Sequence, residues 1–152
     1  MEFKVHPVAF VKNSRKEILD DSWAAVISEI ELVDGIPAET LDGIEDFSHL
    51  ELVFIFDKVN EEDIVLKSAH PRENPEWPKV GIFAQRKKSR PNRIGLSIVK
   101  LLKKEGNLLT VQYLDAINGT PILDIKPVME EFLPKSKVKQ PDWSAELMKS
   151  YW

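Results

Sequence analysis

The stretch from Val80 to Pro127 constrains the fold more than any other part of the chain. Its apolar runs, Val80 to Gln85, Ile94 to Leu102, Asn107 to Leu114 and Ile122 to Val128, are of strand length. Polar turns separate them at Arg90-Pro91-Asn92, Glu105-Gly106-Asn107 and Asn118-Gly119-Thr120-Pro121. Apolar runs this short, punctuated by Gly, Pro, Asn and Thr, describe hairpins. The polar residues therefore fall on loops.

Three earlier runs continue the pattern. Phe3 to Val11 is rich in β-formers, with Pro7 acceptable on an edge strand. Trp23 to Val33 places Ala24, Val26, Ile30 and Leu32 on one face, and Phe47 to Phe56 is dense enough in Phe, Val and Ile to be a buried central strand. Between them, Pro37 to Leu41 makes at most one helical turn, which Gly43 ends. Residues 61–78 hold Pro71, Pro75 and Pro78 around Trp77 and form a long irregular loop. The expected fold is mainly β, a small closed or nearly closed β-barrel of about seven strands with a short C-terminal helix. That helix starts at Asp142 as N-cap and carries Trp143, Leu147 and Tyr151 at four-residue spacing, a face that packs on the barrel or on a partner. With 152 residues and 43% apolar content, one core and one domain over residues 1–152 are expected.

Composition excludes several functional classes. The chain has no cysteine, and His6, His49 and His70 are scattered, so neither a disulfide framework nor a metal site is expected. No apolar run approaches the roughly 18 residues of a membrane span, and the N-terminus lacks a signal peptide's apolar segment. The reading is a soluble cytoplasmic protein. No Gly-x-Gly-x-x-Gly opens a helix after a strand, no phosphate-loop motif occurs, and no serine sits on a nucleophile elbow.

Charge is segregated. Arg86, Lys87, Lys88, Arg90, Arg93, Lys100, Lys103 and Lys104 lie in a segment without an acidic residue, although the net charge is −4. The rest of the chain holds 13 basic residues against 25 acidic ones, so a polyanion is attracted to one face and repelled elsewhere. Lys87, Lys88, Arg90 and Arg93 are the candidate RNA contacts, set against the simpler possibility of a solvated face. Guanidinium groups carry more weight, because they offer bidentate contacts that lysine does not.

The loops contribute a second set of candidates. Pro91 fixes a backbone angle, Asn92 can bond its own backbone, and Gly95 admits a close neighbour, which suits a loop that holds a shape. The simpler reading is an ordinary hairpin turn. Asp115, Asn118, Thr120, Asp124 and Lys126 form a polar series in which Asp124 and Lys126 share a strand face. They either bracket a ligand or close a barrel end. Phe54, Phe56 and Phe83 read as core rather than as a stacking platform, and His49 as a buried, satisfied histidine. Trp77 reads equally as a lid or a surface plug.

Four blocks in order carry a resemblance: Phe47-Ser48-His49-Leu50; Gly81-Ile82-Phe83-Ala84-x-Arg86; Arg90-Pro91-Asn92-x-x-Gly95; and Leu114-Asp115-x-x-x-Gly119-Thr120-Pro121-x-x-Asp124-Ile125-Lys126-Pro127. Together they resemble the TsaA-like (TrmO) proteins across most of the chain. The resemblance implies a homodimeric barrel that binds S-adenosylmethionine and methylates N6 of threonylcarbamoyl-modified adenosine beside the tRNA anticodon. It places the cofactor near Phe56, Asp57, Arg86 and Leu96 and along Gln112, Tyr113, Leu114 and Asp115. Within that site Asp115 is assigned to the ribose and Arg86 to the methionine carboxylate.

Departures from the family pattern are Gln85 for Thr, Arg93 for Pro, Asn118 for Asp and Asp57 for His. Asp21-Ser22-Trp23 stands roughly where long members have an Arg-Gln-Pro-Gly-like loop that reaches the cofactor. A short form without the long members' basic C-terminal domain is expected. Two other functions remain in play from the sequence: a non-catalytic module that binds S-adenosylmethionine or RNA, and methyl transfer to another acceptor.

Overall fold

Alternation of buried and exposed residues produces a ring of six antiparallel strands in the computed structural model, which describes residues 1–152. The strands are β1 (Ala9–Lys12), β2 (Ile27–Leu32), β3 (His49–Ile55), β4 (Ile94–Glu105), β5 (Leu108–Gln112) and β6 (Pro121–Pro127). Around the ring their order is β1-β2-β5-β4-β3-β6, and β1 closes on β6 through the pairs Ala9↔Ile122 and Phe10↔Pro121. Closure removes free sheet edges. Inside the ring Val11, Ile30, Leu50, Leu52, Phe54, Val99, Leu109, Val111 and Ile122 form the core, contributed by every second residue of their strands, and Leu114 joins them from just past β5.

The strand count differs from the expected seven because residues 80–85 do not form a strand. Only Val80 pairs, as an isolated bridge to Ala69, before Ile82–Ala84 tightens into a 3-10 turn. Gln85 holds this arrangement: its side-chain amide donates to the carbonyls of Ala69 (3.1 Å) and Val80 (2.9 Å) from a nearly buried position. An apolar run is thus spent on a turn whose hydrogen bonds are made by a side chain. Two other boundaries move inward. The first strand begins at Ala9 rather than Phe3, and the second at Ile27, after a turn in which the Val26 amide donates to the Trp23 carbonyl.

The C-terminal helix α1 (Asp142–Met148) forms as expected, but Pro141 takes the N-cap position and Asp142 is the first helical residue. Its tail doubles back to the barrel. The amides of Ser22 and Trp23 donate to the carbonyls of Ser150 (2.9 Å) and Tyr151 (2.8 Å). No helix is long and apolar enough to cross a membrane.

Candidate functional site

A cleft of about 340 Å³ opens where β3 ends and β4 begins. Phe54 and Phe56 come from the end of β3, Ile94, Gly95 and Leu96 from the start of β4, and Asp115 from just past β5. Phe83, Gln85, Arg86 and Arg90 complete it from the turn that replaces the seventh strand. Of the residues expected to bind the cofactor, Phe56, Arg86, Leu96 and Asp115 are therefore brought together. Gly95 is needed for the floor, since a Cβ there would lie 2.3 Å from the ring of Phe54.

Each polar group in the cleft has a defined hold. Arg86 donates to the Leu96 carbonyl and is otherwise exposed, which leaves further donors of its guanidinium for an anion. Asp115 receives the Ser97 hydroxyl on Oδ1 and the Tyr151 hydroxyl on Oδ2. Burial, followed by the neighbouring Asp115 charge, pushes the Tyr151 phenol far above its ordinary value of 10.0, so it stays an O–H donor.

Other expected site residues do not line this cleft. Asp57 pairs with Lys58 at 3.0 Å, Leu114 is fully buried in the core, and Gln112 donates to the Ala24 carbonyl at 2.9 Å. Tyr113 lies outside the cleft lining, adopts a positive φ of 68° and meets the Trp152 ring edge-on at 5.8 Å. Thr120 is buried and donates to the Ile117 carbonyl at 2.8 Å, while Asp124 and Lys126 pair with each other. These last two lie outside the cleft lining. Pro91 and Asn92 form the turn beside the cleft without lining it.

The arginines are braces as much as contacts. Arg90 donates to the Gln85 carbonyl at 2.9 Å, and Arg93 to the Val59 carbonyl at 2.8 Å. Arg93 has φ 53°, a geometry closed to proline. Lys87 and Lys88 have no carboxylate partner, whereas Lys103 pairs with Glu105 and Lys104 with Asp42 and Glu45. His49 is half-buried and bonds the Ser48 hydroxyl at 2.7 Å.

Phe83 departs from expectation most plainly. It is 79% exposed at the cleft rim rather than in the core. Ser97 and Tyr151 were not singled out for the site by sequence. A signal for Ser97 exists: Gly95, Ser97 and Val99 alternate inward while Ile94, Leu96 and Ile98 face out, so small or polar residues occupy the positions that a core strand fills with large ones. Tyr151 has no such signal, because its contact depends on where the tail docks.

That docking is secured at several points. The Trp77 indole donates to Glu146 at 2.7 Å and its ring lies 6.5 Å from that of Trp143, so Trp77 ties the proline-rich loop to α1. Arg72 holds Asp21 with Nη2 at 2.7 Å, and this hydrogen bond raises the Arg72 pKa. Arg15 stacks over Trp23 at 4.5 Å and donates to the Ser22 carbonyl at 2.9 Å. No group of three or more His, Cys, Asp or Glu side chains is placed to hold a metal ion.

Residues 18–132 match the model of the tRNA-methyltransferase O N-terminal domain. The chain belongs to the TrmO family. It is 34% identical over 137 residues to a probable S-adenosyl-L-methionine-binding protein of Pyrococcus abyssi, covering 88% of this chain and 72% of that protein. Over 105 residues it is 40% identical to the human tRNA (adenine(37)-N6)-methyltransferase, covering 69% of this chain but 23% of the human protein. The TrmO crystal structure from Pseudomonas aeruginosa superposes with a TM-score of 0.73 at 27% identity, over 91% of this chain and 62% of that one. The chain thus spans less than two thirds of the human protein and of that TrmO structure. All ten cleft residues fall inside the matched TrmO domain; Tyr151 lies outside it.

Proposed function

We propose that this chain is an S-adenosylmethionine-dependent tRNA methyltransferase that acts on N6 of a threonylcarbamoyl-modified adenosine beside the anticodon. The observation that carries the reading is the convergence of Phe56, Arg86, Leu96 and Asp115, from four separate segments, on one cleft within the TrmO domain. The residues fit the cofactor. Phe54, Phe56, Ile94 and Leu96 would supply apolar walls for adenine, Asp115 would accept from ribose hydroxyls, and Arg86 would pair with the methionine carboxylate. The volume falls in the usual range for small-molecule sites.

When bound, the cofactor supplies an electrophilic methyl group on a sulfonium. The protein's part is to hold acceptor and methyl in line and to keep water from the contact. The acceptor nitrogen belongs to a urea-like group, whose proton is more acidic than that of plain adenine, so alignment rather than a strong base carries the reaction. This agrees with Asp115, the cleft's carboxylate, having both oxygens hydrogen-bonded already. The half-buried Lys87 and Lys88, which follow the cleft residue Arg86 in the chain, belong to the proposed tRNA face, and a second copy of the chain is the proposed partner. A cytoplasmic location is part of the same proposal, in keeping with a tRNA substrate.

The test is nucleoside mass spectrometry of tRNA from cells with and without the gene, followed by reconstitution with purified protein. The expected result is loss of the methylated nucleoside and its return in vitro. An unchanged profile with intact cofactor binding favours a sensor module, and transfer to a different nucleoside favours another acceptor.

A further inference from the structure

We propose that Tyr151 is a positioning residue for the cofactor-binding carboxylate of Asp115, so that the tail following α1 completes a site whose walls come from the barrel. The proposal rests on the reading of the cleft as the S-adenosylmethionine site. Asp115 lines the cleft and Tyr151 does not, so the phenol supports the carboxylate without occupying ligand space. An ionised carboxylate accepts about four hydrogen bonds. Ser97 and Tyr151 use one on each oxygen, which leaves capacity on both for the two ribose hydroxyls.

A carboxylate gripped from two sides has fewer orientations to lose when the ligand arrives. Tyr151 is itself held. The Trp23 amide donates to its carbonyl, its own amide donates to Met148, and Trp152 packs edge-on against Tyr113. Arg15 and Arg72 fix the 20–23 loop to which the tail is pinned. The 20–23 loop thereby serves as the anchor for a tyrosine. Its phenol keeps its proton through the physiological range, as a donor must.

The experiment is a double-mutant cycle on S-adenosylmethionine binding with the full chain: parent, Tyr151→Phe, Asp115→Asn and the double variant. Calorimetry measures affinity, and the ligand-induced shift in Tm at millimolar cofactor covers weak variants. Tyr151→Phe is expected to weaken binding about tenfold, the scale of a lost hydrogen bond to a charged group. In the Asp115→Asn background the same change is expected to cost less than about twofold, because a residue acting through its partner is not additive with it. Additive losses, or no loss for Tyr151→Phe while Asp115→Asn binds weakly, overturn the positioning role and leave the cofactor site standing. Normal binding by Asp115→Asn overturns the site assignment, and the positioning role with it.

Discussion

At the scale of single residues, Gly95 sets the shape of the cleft. Its hydrogen is the only substituent the position tolerates, because Phe54 fills the space beyond it with a ring that is almost wholly buried. Gly95→Ala is therefore expected to lower stability by about 1–3 kcal/mol, the cost of an added methyl in a packed interior. Denaturant unfolding measures the loss, and a stability equal to the parent would mean that the ring has room to move. The same glycine was legible in the sequence as a point of close approach. What approaches it was not, since Phe54 stands opposite Gly95 only through the register of β3 and β4. Asp115 shows the same division. Its chemistry suited a ribose from sequence, but its two hydrogen-bond partners come from β4 and from the chain's end.

Among the elements, β4 inverts the usual pattern. Ile94, Leu96, Ile98 and Leu102 face outward at 43%, 41%, 46% and 44% exposure, while Gly95 and Ser97 face in. Ile94 and Leu96 of this row line the cleft, while Ile98 and Leu102 continue it as exposed apolar surface on which a proposed partner copy could pack. It is a better basis for a dimer than the C-terminal aromatics, because Tyr151 is engaged with Asp115 and Trp152 with Tyr113 of the same chain. Ile98→Asp, on the outward row two residues past the cleft residue Leu96, is expected to leave a monomer where the parent chain forms the proposed dimer. Light scattering at two concentrations decides this, and equal masses for parent and variant would discard the row as the interface. Strands β2, β3, β4, β5 and β6 were readable from apolar runs between turn residues, apart from their exact limits. Residues 80–85 were not, because the amide of Gln85 supplies hydrogen bonds that a strand partner would otherwise make.

For the whole molecule, the segregated charge narrows once the ion pairs are placed. Lys103 and Lys104 are paired with carboxylates, and Arg86, Arg90 and Arg93 are tied to backbone carbonyls, which leaves Lys87, Lys88 and Lys100 without such a partner; the first two directly follow the cleft residue Arg86 in the chain. Lys87→Ala and Lys88→Ala are each expected to weaken binding of an anticodon stem-loop and to reduce the salt slope by about one, with cofactor affinity unchanged. Filter binding across a salt series measures it. Slopes identical to the parent would make these lysines ordinary solvated side chains.

The ring of strands also has a history that its final shape conceals. Strands β3 and β4 pair over seven successive positions, from His49↔Lys100 to Ile55↔Ile94, but β1 meets β6 only at Ala9↔Ile122 and Phe10↔Pro121. That seam joins segments more than a hundred residues apart in the chain, so the loop entropy for closing it is large while few ladder contacts reward it. On a ribosome the circle has no way to close until β6 has emerged, and the tail that carries Tyr151 follows later still. The clasp on Asp115 is therefore set only after the wall it steadies has been made.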